Sequence, residues 1–291
     1  MRILVTGASG FIGRAIFRKL SSSVFEVTGQ IRSAESSYSK ESNYVSINIS
    51  SSTDWSKILQ NIDCIIHCAA IPENAELDEL YDVNVHGTIN LAEQALKMGV
   101  KRFIFISSIK VNGEISNYKP FRHDDMPNPQ DNYANSKLAA ETALSKMQGF
   151  SDFVTIVRSP MVYGDGAKGN LAFLLKLIKY KIPLPLKGIQ NKRSFISIDN
   201  FVWFILLIIE IPKTIGEIVL ISDHKDYSTE EFIRMICIEK KLKPKFFYFP
   251  IRIIYLLGKL FGISRKIDSL YGSSIIDLSY TRKLLGINFK N

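Results

Sequence analysis

A tyrosine and a lysine four residues apart, in Tyr133-Ala134-Asn135-Ser136-Lys137, carry the most readable chemistry in this chain. On a helix the two side chains share one face, one turn apart. An ammonium beside a phenol favours the phenolate and lowers its pKa. Such a tyrosine exchanges a proton with an alcohol or a carbonyl near neutral pH. The pair alone is common on amphipathic helices, where it only decorates a surface. Ser107-Ser108, 25 residues earlier at the end of an apolar strand, changes that reading. Strand ends of a parallel α/β sheet face the ligand crevice, so Ser108 is placed to hydrogen-bond the same substrate oxygen. Ser108, Tyr133 and Lys137 are therefore the candidate catalytic residues.

The opening residues, MRILVTGASGFIG, offer a second chemistry. A short apolar strand runs into a turn with glycines at positions 7, 10 and 13, and then into a helical pattern. Gly7 permits the tight turn, Gly10 lets backbone approach a pyrophosphate, and Gly13 lets the helix pack close on the sheet. Phe11 and Ile12 belong to the same turn. Free N–H groups at the helix start face the phosphate charge. The strand before and the helix after identify a dinucleotide-binding turn.

The end of the second strand bears on which dinucleotide. An Asp or Glu there bonds the ribose 2′-hydroxyl of NAD, whereas an arginine accommodates the 2′-phosphate of NADP. The chain reads Val27-Thr28-Gly29-Gln30-Ile31-Arg32-Ser33, with no acid. Ile31 stands where an acid is expected, and Arg32 follows. NADP(H) is favoured on this ground. The alternative has Arg32 stacked on adenine and NAD(H) bound as well.

Positioning these groups requires alternating elements. Strands are expected at 3–5, 25–30, 44–49, 64–68, 103–107 and 154–158. Helices are expected at 12–21, 55–60, 77–98 and 133–147. That rhythm predicts a doubly wound α/β fold, a parallel sheet with helices on both faces. After Ser159 the rhythm breaks into helices at 170–181, 201–211 and 229–241, the last with Ser228 as its cap, and strands at 194–198 and 217–221. Residues 1–160 and 194–222 are expected to form the dinucleotide-binding domain, and 161–193 and 223–291 a smaller C-terminal substrate-binding lobe. The serine-rich stretch 33–42 reads as an exposed loop.

The chain has 291 residues, 46% of them hydrophobic, and a net charge of +9. Cys64, Cys68 and Cys237 lie in apolar surroundings without paired metal-ligand spacing, so they read as core packing and no metal is expected. A reducing, cytoplasmic compartment follows, and Met1 leads directly into the first strand without a signal peptide. Basic residues are scattered, with no block before the C-terminal third, so nucleic acid is not the expected partner. An anionic substrate and cofactor explain some of the excess charge, and an anionic membrane surface would explain more. The very apolar stretch 246–263 is too interrupted by Pro250, Arg252 and Lys259 to span a bilayer. It reads as a helix packed in the substrate lobe or as an interfacial amphipathic helix.

TGASGFIG, the HCAA run from His67, VNVHGTINL from Val83, FIFISS from Phe103 and YANSK together resemble the extended short-chain dehydrogenase/reductase family, in its sugar-nucleotide epimerase, dehydratase and reductase branch. The resemblance covers nearly the whole chain and implies a Rossmann sheet. It implies that Tyr133 is the acid/base, that Lys137 tunes it and holds the nicotinamide ribose, and that Ser108 orients the substrate oxygen. Asn84 would support the site, Asn48 and Ile49 would lie near adenine, and Ala69 and Pro160 would touch the cofactor. In the Arg158-Ser159-Pro160-Met161-Val162-Tyr163-Gly164 run, Tyr163 would face the sugar. Asn170, Leu171 and Arg193 resemble residues that grip a nucleotide diphosphate. His67 receives no chemical role. The dehydratase branch carries a Thr plus an Asp-Glu pair in the active site; here Ile109 follows Ser107-Ser108 and no Asp-Glu pair comes after it, so dehydration is disfavoured.

The segments Tyr271–Asp277, Arg282–Gly286 and 183–198 resemble a bacterial polysaccharide-synthesis subgroup. With NADP(H) favoured, the expected reaction is NADPH-dependent reduction of the C4 ketone of a UDP-4-keto-6-deoxy-N-acetylhexosamine. The alternative is an NAD-dependent UDP-hexose 4-epimerase. A UDP-sugar partner and a homodimer built on the 77–98 and 133–147 helices complete the expectation.

Overall fold

A computed structural model describes residues 1–32, 43–72, 75–116, 119–167, 169–262 and 264–287; the side chains of Asn170, Leu257 and Lys266 also lie outside the description. The loop expected at 33–42 therefore lies outside the described residues.

The strands are β1 (Arg2–Thr6), β2 (Glu26–Ile31), β3 (Tyr44–Ser46), β4 (Cys64–His67), β5 (Arg102–Ser108), β6 (Val154–Ser159), β7 (Met161–Tyr163), β8 (Phe195–Ser197) and β9 (Ile218–Leu220). Seven of them form one sheet in the order β3-β2-β1-β4-β5-β6-β9, and β7 pairs with β8. Every pairing is parallel. The central strands read as continuous apolar runs because both of their faces are covered.

Helix α1 (Phe11–Ser21) leaves the glycine turn. Helix α2 (Leu77–Tyr81) passes through a π-helical turn, Asp82–Gly87, into α3 (Thr88–Lys97). Helices α3 and α4 (Asn132–Ser145) cover one face of the sheet, where Leu91, Ala95 and Ala140 pack on Phe103 and Phe105. After α5 (Asn170–Lys179), helix α6 (Ile198–Glu210) joins α1 on the other face, packing Phe201, Phe204 and Ile208 on Ile104 and Val157. Each such apolar side chain contributes about 1.5–3 kcal/mol by leaving water. Helices α7 (Thr229–Glu239), α8 (Ile251–Leu260), α9 (Ser264–Tyr271) and α10 (Ser279–Leu285) follow. A separate core joins Leu174, Phe195, Phe232 and Ile267 beyond the sheet. Ser228 caps α7 in a reciprocal capping box with Glu231.

Three expectations are corrected. The helix expected at 77–98 is interrupted by the π-helical turn, which buries Asn84. The stretch 55–60 is a set of turns, because Trp55 donates its amide to Gln94 on α3 (2.8 Å) while Gln94 and Asn90 bond the Thr53 carbonyl. Strand β3 stops at Ser46 rather than at 49, because the Gln30 side chain takes the Ile47 carbonyl (2.6 Å).

Candidate active site

Two cavities open along the carboxyl ends of the strands. The first, of about 490 Å³, is lined by Gly7, Gly10, Gln30, Arg32, Asn48, Ile49 and Ala69. Gly7 has φ +65°, and a Cβ there would stand 2.9 Å from the Ala69 backbone. A Cβ on Gly13 would come within 2.3 Å of the Gly7 carbonyl oxygen, so α1 starts against the turn only because position 13 is bare. Gly10, at the N-cap of α1, brings no side-chain acceptor, and the first turn contains no acid. The orphan amides of a helix start therefore lie at the cavity with no side-chain cap. This cradle fits the pyrophosphate of a dinucleotide. Phe11 and Ile12 are part-buried at the head of α1.

At the end of β2, Ile31 packs into the core under α1, and its neighbours Gln30 and Arg32 line the cavity. Alternation along a strand makes this assignment. Gln30 is held on both sides, accepting from the Gly7 amide (2.9 Å) and donating to the Ile47 carbonyl. Glu79, Asp82, Ser50 and Cys68 also line this cavity, and none was singled out for it from the sequence. Burial pushes the Cys68 thiol up to about 12, so it stays protonated.

The second cavity, of about 260 Å³, brings together Ser108, Tyr133, Pro160, Leu171 and Arg193, with Lys110, Glu114 and Phe232. Ser108 ends β5 and caps the short turn that follows, accepting from the Lys110 amide. Asp131 caps α4 through the Ala134 amide (2.6 Å), which fixes the start of the helix bearing Tyr133. One turn on, Lys137 is 1% exposed and donates to the Ile106 carbonyl (2.9 Å). Its ammonium sits 5.9 Å from the Tyr133 ring centre. Burial pulls the Lys137 ammonium down to about 8. Burial pushes the Tyr133 phenol up to about 12, opposed by the charge of Lys110 and reinforced by Asp131. The expected lowering of the phenol by Lys137 is thus not the dominant effect in this structure.

Lys110 is the site residue that the sequence reading passed over. Its Nζ lies 2.6 Å from Asp131 and 3.2 Å from Glu114. Burial opposes its charge, but the Asp131 and Glu114 carboxylates hold its pKa above the usual lysine value. A lysine directly after a buried apolar strand, with a glutamate four residues on, was the available signal.

The other expected residues are placed as follows. Asn84 is buried and ties the Ile71 backbone to Ser136 on α4 (3.1 Å). Arg193 lines the second cavity and donates to the Gly272 carbonyl (2.8 Å); burial lowers its pKa. Tyr163 is not among the residues lining either cavity; its hydroxyl donates to Asp223 (2.8 Å), and burial raises its pKa. Asn170 begins α5, and its side chain lies outside the description. Arg158 is enclosed, paired with Glu141 at 2.6 Å. His67 bonds Thr6 (2.8 Å) and Thr88 (2.9 Å), and burial drops its pKa to about 3, a neutral packing residue. No cluster able to hold a metal occurs among the described residues.

The model of the NAD dependent epimerase/dehydratase family matches residues 3–222. The chain belongs to the NAD-dependent epimerase/dehydratase family. A UDP-glucose 4-epimerase of Vibrio cholerae is 40% identical to it, over 98% of this chain and 89% of that protein. An Escherichia coli O157:H7 N-acetyl-alpha-D-glucosaminyl-diphospho-ditrans,octacis-undecaprenol 4-epimerase is 26% identical, over 91% and 80%. The solved structure of a Bacillus cereus UDP-glucuronic acid 4-epimerase with UDP-glucuronic acid and NAD superposes with a TM-score of 0.76, at 25% identity over 100% of this chain and 95% of that one. As a member of the epimerase/dehydratase family, the chain has its glycine turn and its Ser-Tyr-Lys set within the matched span.

Proposed function

We propose that this protein is a UDP-hexose 4-epimerase that works with NAD. The observation that carries the reading is the 40% identity to the Vibrio enzyme, sustained along 98% of the chain. Residues Gly7, Gly10, Phe11, Ile12, Gly13, Asn48, Ile49, Ala69 and Asn84 would hold or frame the dinucleotide, with Lys137 on its ribose and Pro160 beside its reactive end. When bound, NAD supplies a reversible hydride acceptor beside the sugar.

Tyr133 takes the proton of the sugar 4-hydroxyl as that carbon becomes a ketone, and returns it when the alcohol re-forms. Ser108 donates a hydrogen bond to the same oxygen and holds it against Tyr133. Lys137 and Lys110 supply positive charge that favours the phenolate while the proton is away. Arg193, with its planar fork, meets diphosphate oxygens, and Leu171 packs beside them. Leu171, Leu174, Phe195 and Phe232 give the cavity an apolar wall. Such a wall makes no hydrogen bonds that would pin a keto sugar, which leaves the ring free to present its other face. The 161–193 and 223–291 segments act as the lobe over the sugar. The enzyme works in the cytoplasm as a homodimer through α3 and α4, which analytical ultracentrifugation tests.

A second reading is NADPH-dependent reduction of a UDP-4-keto-6-deoxy-N-acetylhexosamine. Arg32 and the missing carboxylate at the end of β2 favour it. Glu79 and Asp82 in the same cavity wall weigh against a 2′-phosphate. Acid release of bound cofactor, followed by incubation with UDP-glucose and NMR of the product, separates the two. Bound NAD and UDP-galactose support the epimerase. Empty protein that consumes NADPH only with the keto sugar replaces it with the reductase, and Arg32→Ala should then weaken NADPH far more than NADH.

A further inference from the structure

The net charge of the chain is concentrated in one place. Residues 240–267 hold eight lysines and arginines and no acid, against a net charge of +9 for the whole chain. The same stretch contains α8, whose two faces are both apolar. Ile254, Tyr255 and Gly258 turn toward the protein, where Gly258 stands against Ile267 of α9. On the opposite face Ile253, Leu256 and Leu260 are 43%, 68% and 75% exposed. Arg252 and Lys259, seven apart and both exposed, line one flank of that stripe. Aromatic residues mark its two ends, Tyr248 at 70% and Phe261 at 69% exposure. An open apolar groove of about 430 Å³ runs beside the helix, lined by Phe173, Leu177, Phe247 and Phe249. It shares Leu174 and Leu270 with the Tyr133 cavity.

We propose that α8 and its flanking aromatics seat this protein on an anionic bilayer surface. An apolar stripe with basic residues beside it and aromatics at its ends is the pattern of a helix lying in the headgroup plane. No helix among the described residues is long and apolar enough to cross a membrane. The ten residues of α8 cover about 15 Å, half of a hydrocarbon core of about 30 Å. A second copy of the chain is a poor occupant, because a two-fold contact through this face would bring Arg252 and Lys259 of each copy toward those of the other. Nucleic acid would satisfy the charge but would leave Leu256 and Leu260 in water. Only an anionic lipid surface takes up both the charge and the apolar stripe. This inference stands apart from the reaction assigned above, since α8 and its flanking aromatics line neither cavity of that site.

The test is co-sedimentation of the full-length protein with vesicles of phosphatidylcholine alone, or of phosphatidylcholine mixed with phosphatidylglycerol. Binding is expected to the mixed vesicles only, weakening as salt is raised. Arg252→Glu with Lys259→Glu should reduce partitioning by about fivefold or more per charge. Leu256→Ser with Leu260→Ser should reduce it by about tenfold or more. Both pairs are exposed, so circular dichroism and turnover of a soluble nucleotide sugar should be unchanged. Absence of binding to the mixed vesicles, equal binding to neutral ones, or full binding by the folded leucine variant would overturn the proposal. So would a wild-type dimer that the leucine variant dissolves, because a second copy would then cover the face.

Discussion

Tyr133 has a phenol that burial pushes up to about 12, opposed by the charge of Lys110. If it moves the substrate proton, Tyr133→Phe should lower kcat by about a thousandfold, within the range for a lost acid/base group. The amount of cofactor carried through purification should stay as in the wild type; a mutant turning over at the normal rate would remove Tyr133 from the reaction. Lys137 adds a pH dependence. Its pKa is lowered from 10.5 to about 8, so its charge fades as pH rises through about 8. kcat/KM should therefore decline above that pH, and a profile flat to pH 10 would show that the charge of Lys137 is not used. At β2, by contrast, the sequence misled by one residue. Ile31 counts as the position of the acid in the motif, but alternation sends it into the core and leaves Gln30 and Arg32 at the ligand.

At the level of elements, the start of α4 joins stability to the site. Asp131 gives one oxygen to the Ala134 amide and the other to Lys110. Asp131→Ala loses both, and the missing cap alone costs about 1 kcal/mol. Asp131→Asn keeps a good cap but loses the ion pair. Thermal unfolding should show the alanine variant destabilised and the asparagine variant close to wild type, while kcat falls in both. If asparagine leaves kcat unchanged, the Lys110 pair has no part in turnover. The strand-turn-helix at the amino terminus was legible in the sequence because glycine spacing, apolar run and helical period all agree there. The Ser-Tyr-Lys set was legible because local spacing and strand ends place it. The turns at 55–60 were not, because Gln94 and Asn90, nearly 40 residues away, hold them. Lys110 was hidden for the same reason, since its partner Asp131 is 21 residues off.

For the whole molecule, the buried pair Arg158–Glu141 ties β6 to α4 beneath the site. Ser107 donates to Glu141, and Arg158 also donates to Asn112 (2.9 Å). Removing one partner leaves a buried charge without its counterpart, at a cost of about 3–5 kcal/mol. Glu141→Ala should therefore shift the urea midpoint strongly, and a shift within error would mean that the pair adds nothing. Acid should act through His67. The folded ring, with a pKa of about 3, refuses a proton that the unfolded ring accepts below its ordinary 6.5. Stability from this group is present above 6.5 and is lost as pH falls toward 3. His67→Gln should flatten that part of the stability curve.

The π-helical turn between α2 and α3 closes over one more residue than an α-turn does. Deleting a residue other than Asn84 from 82 to 87 would let it close as ordinary helix, with α2 and α3 left nearly in register. The wide turn that aims the Asn84 amide at Ile71 and Ser136 would then be gone. The extra residue thus aims one side chain without re-aiming the helices on either side.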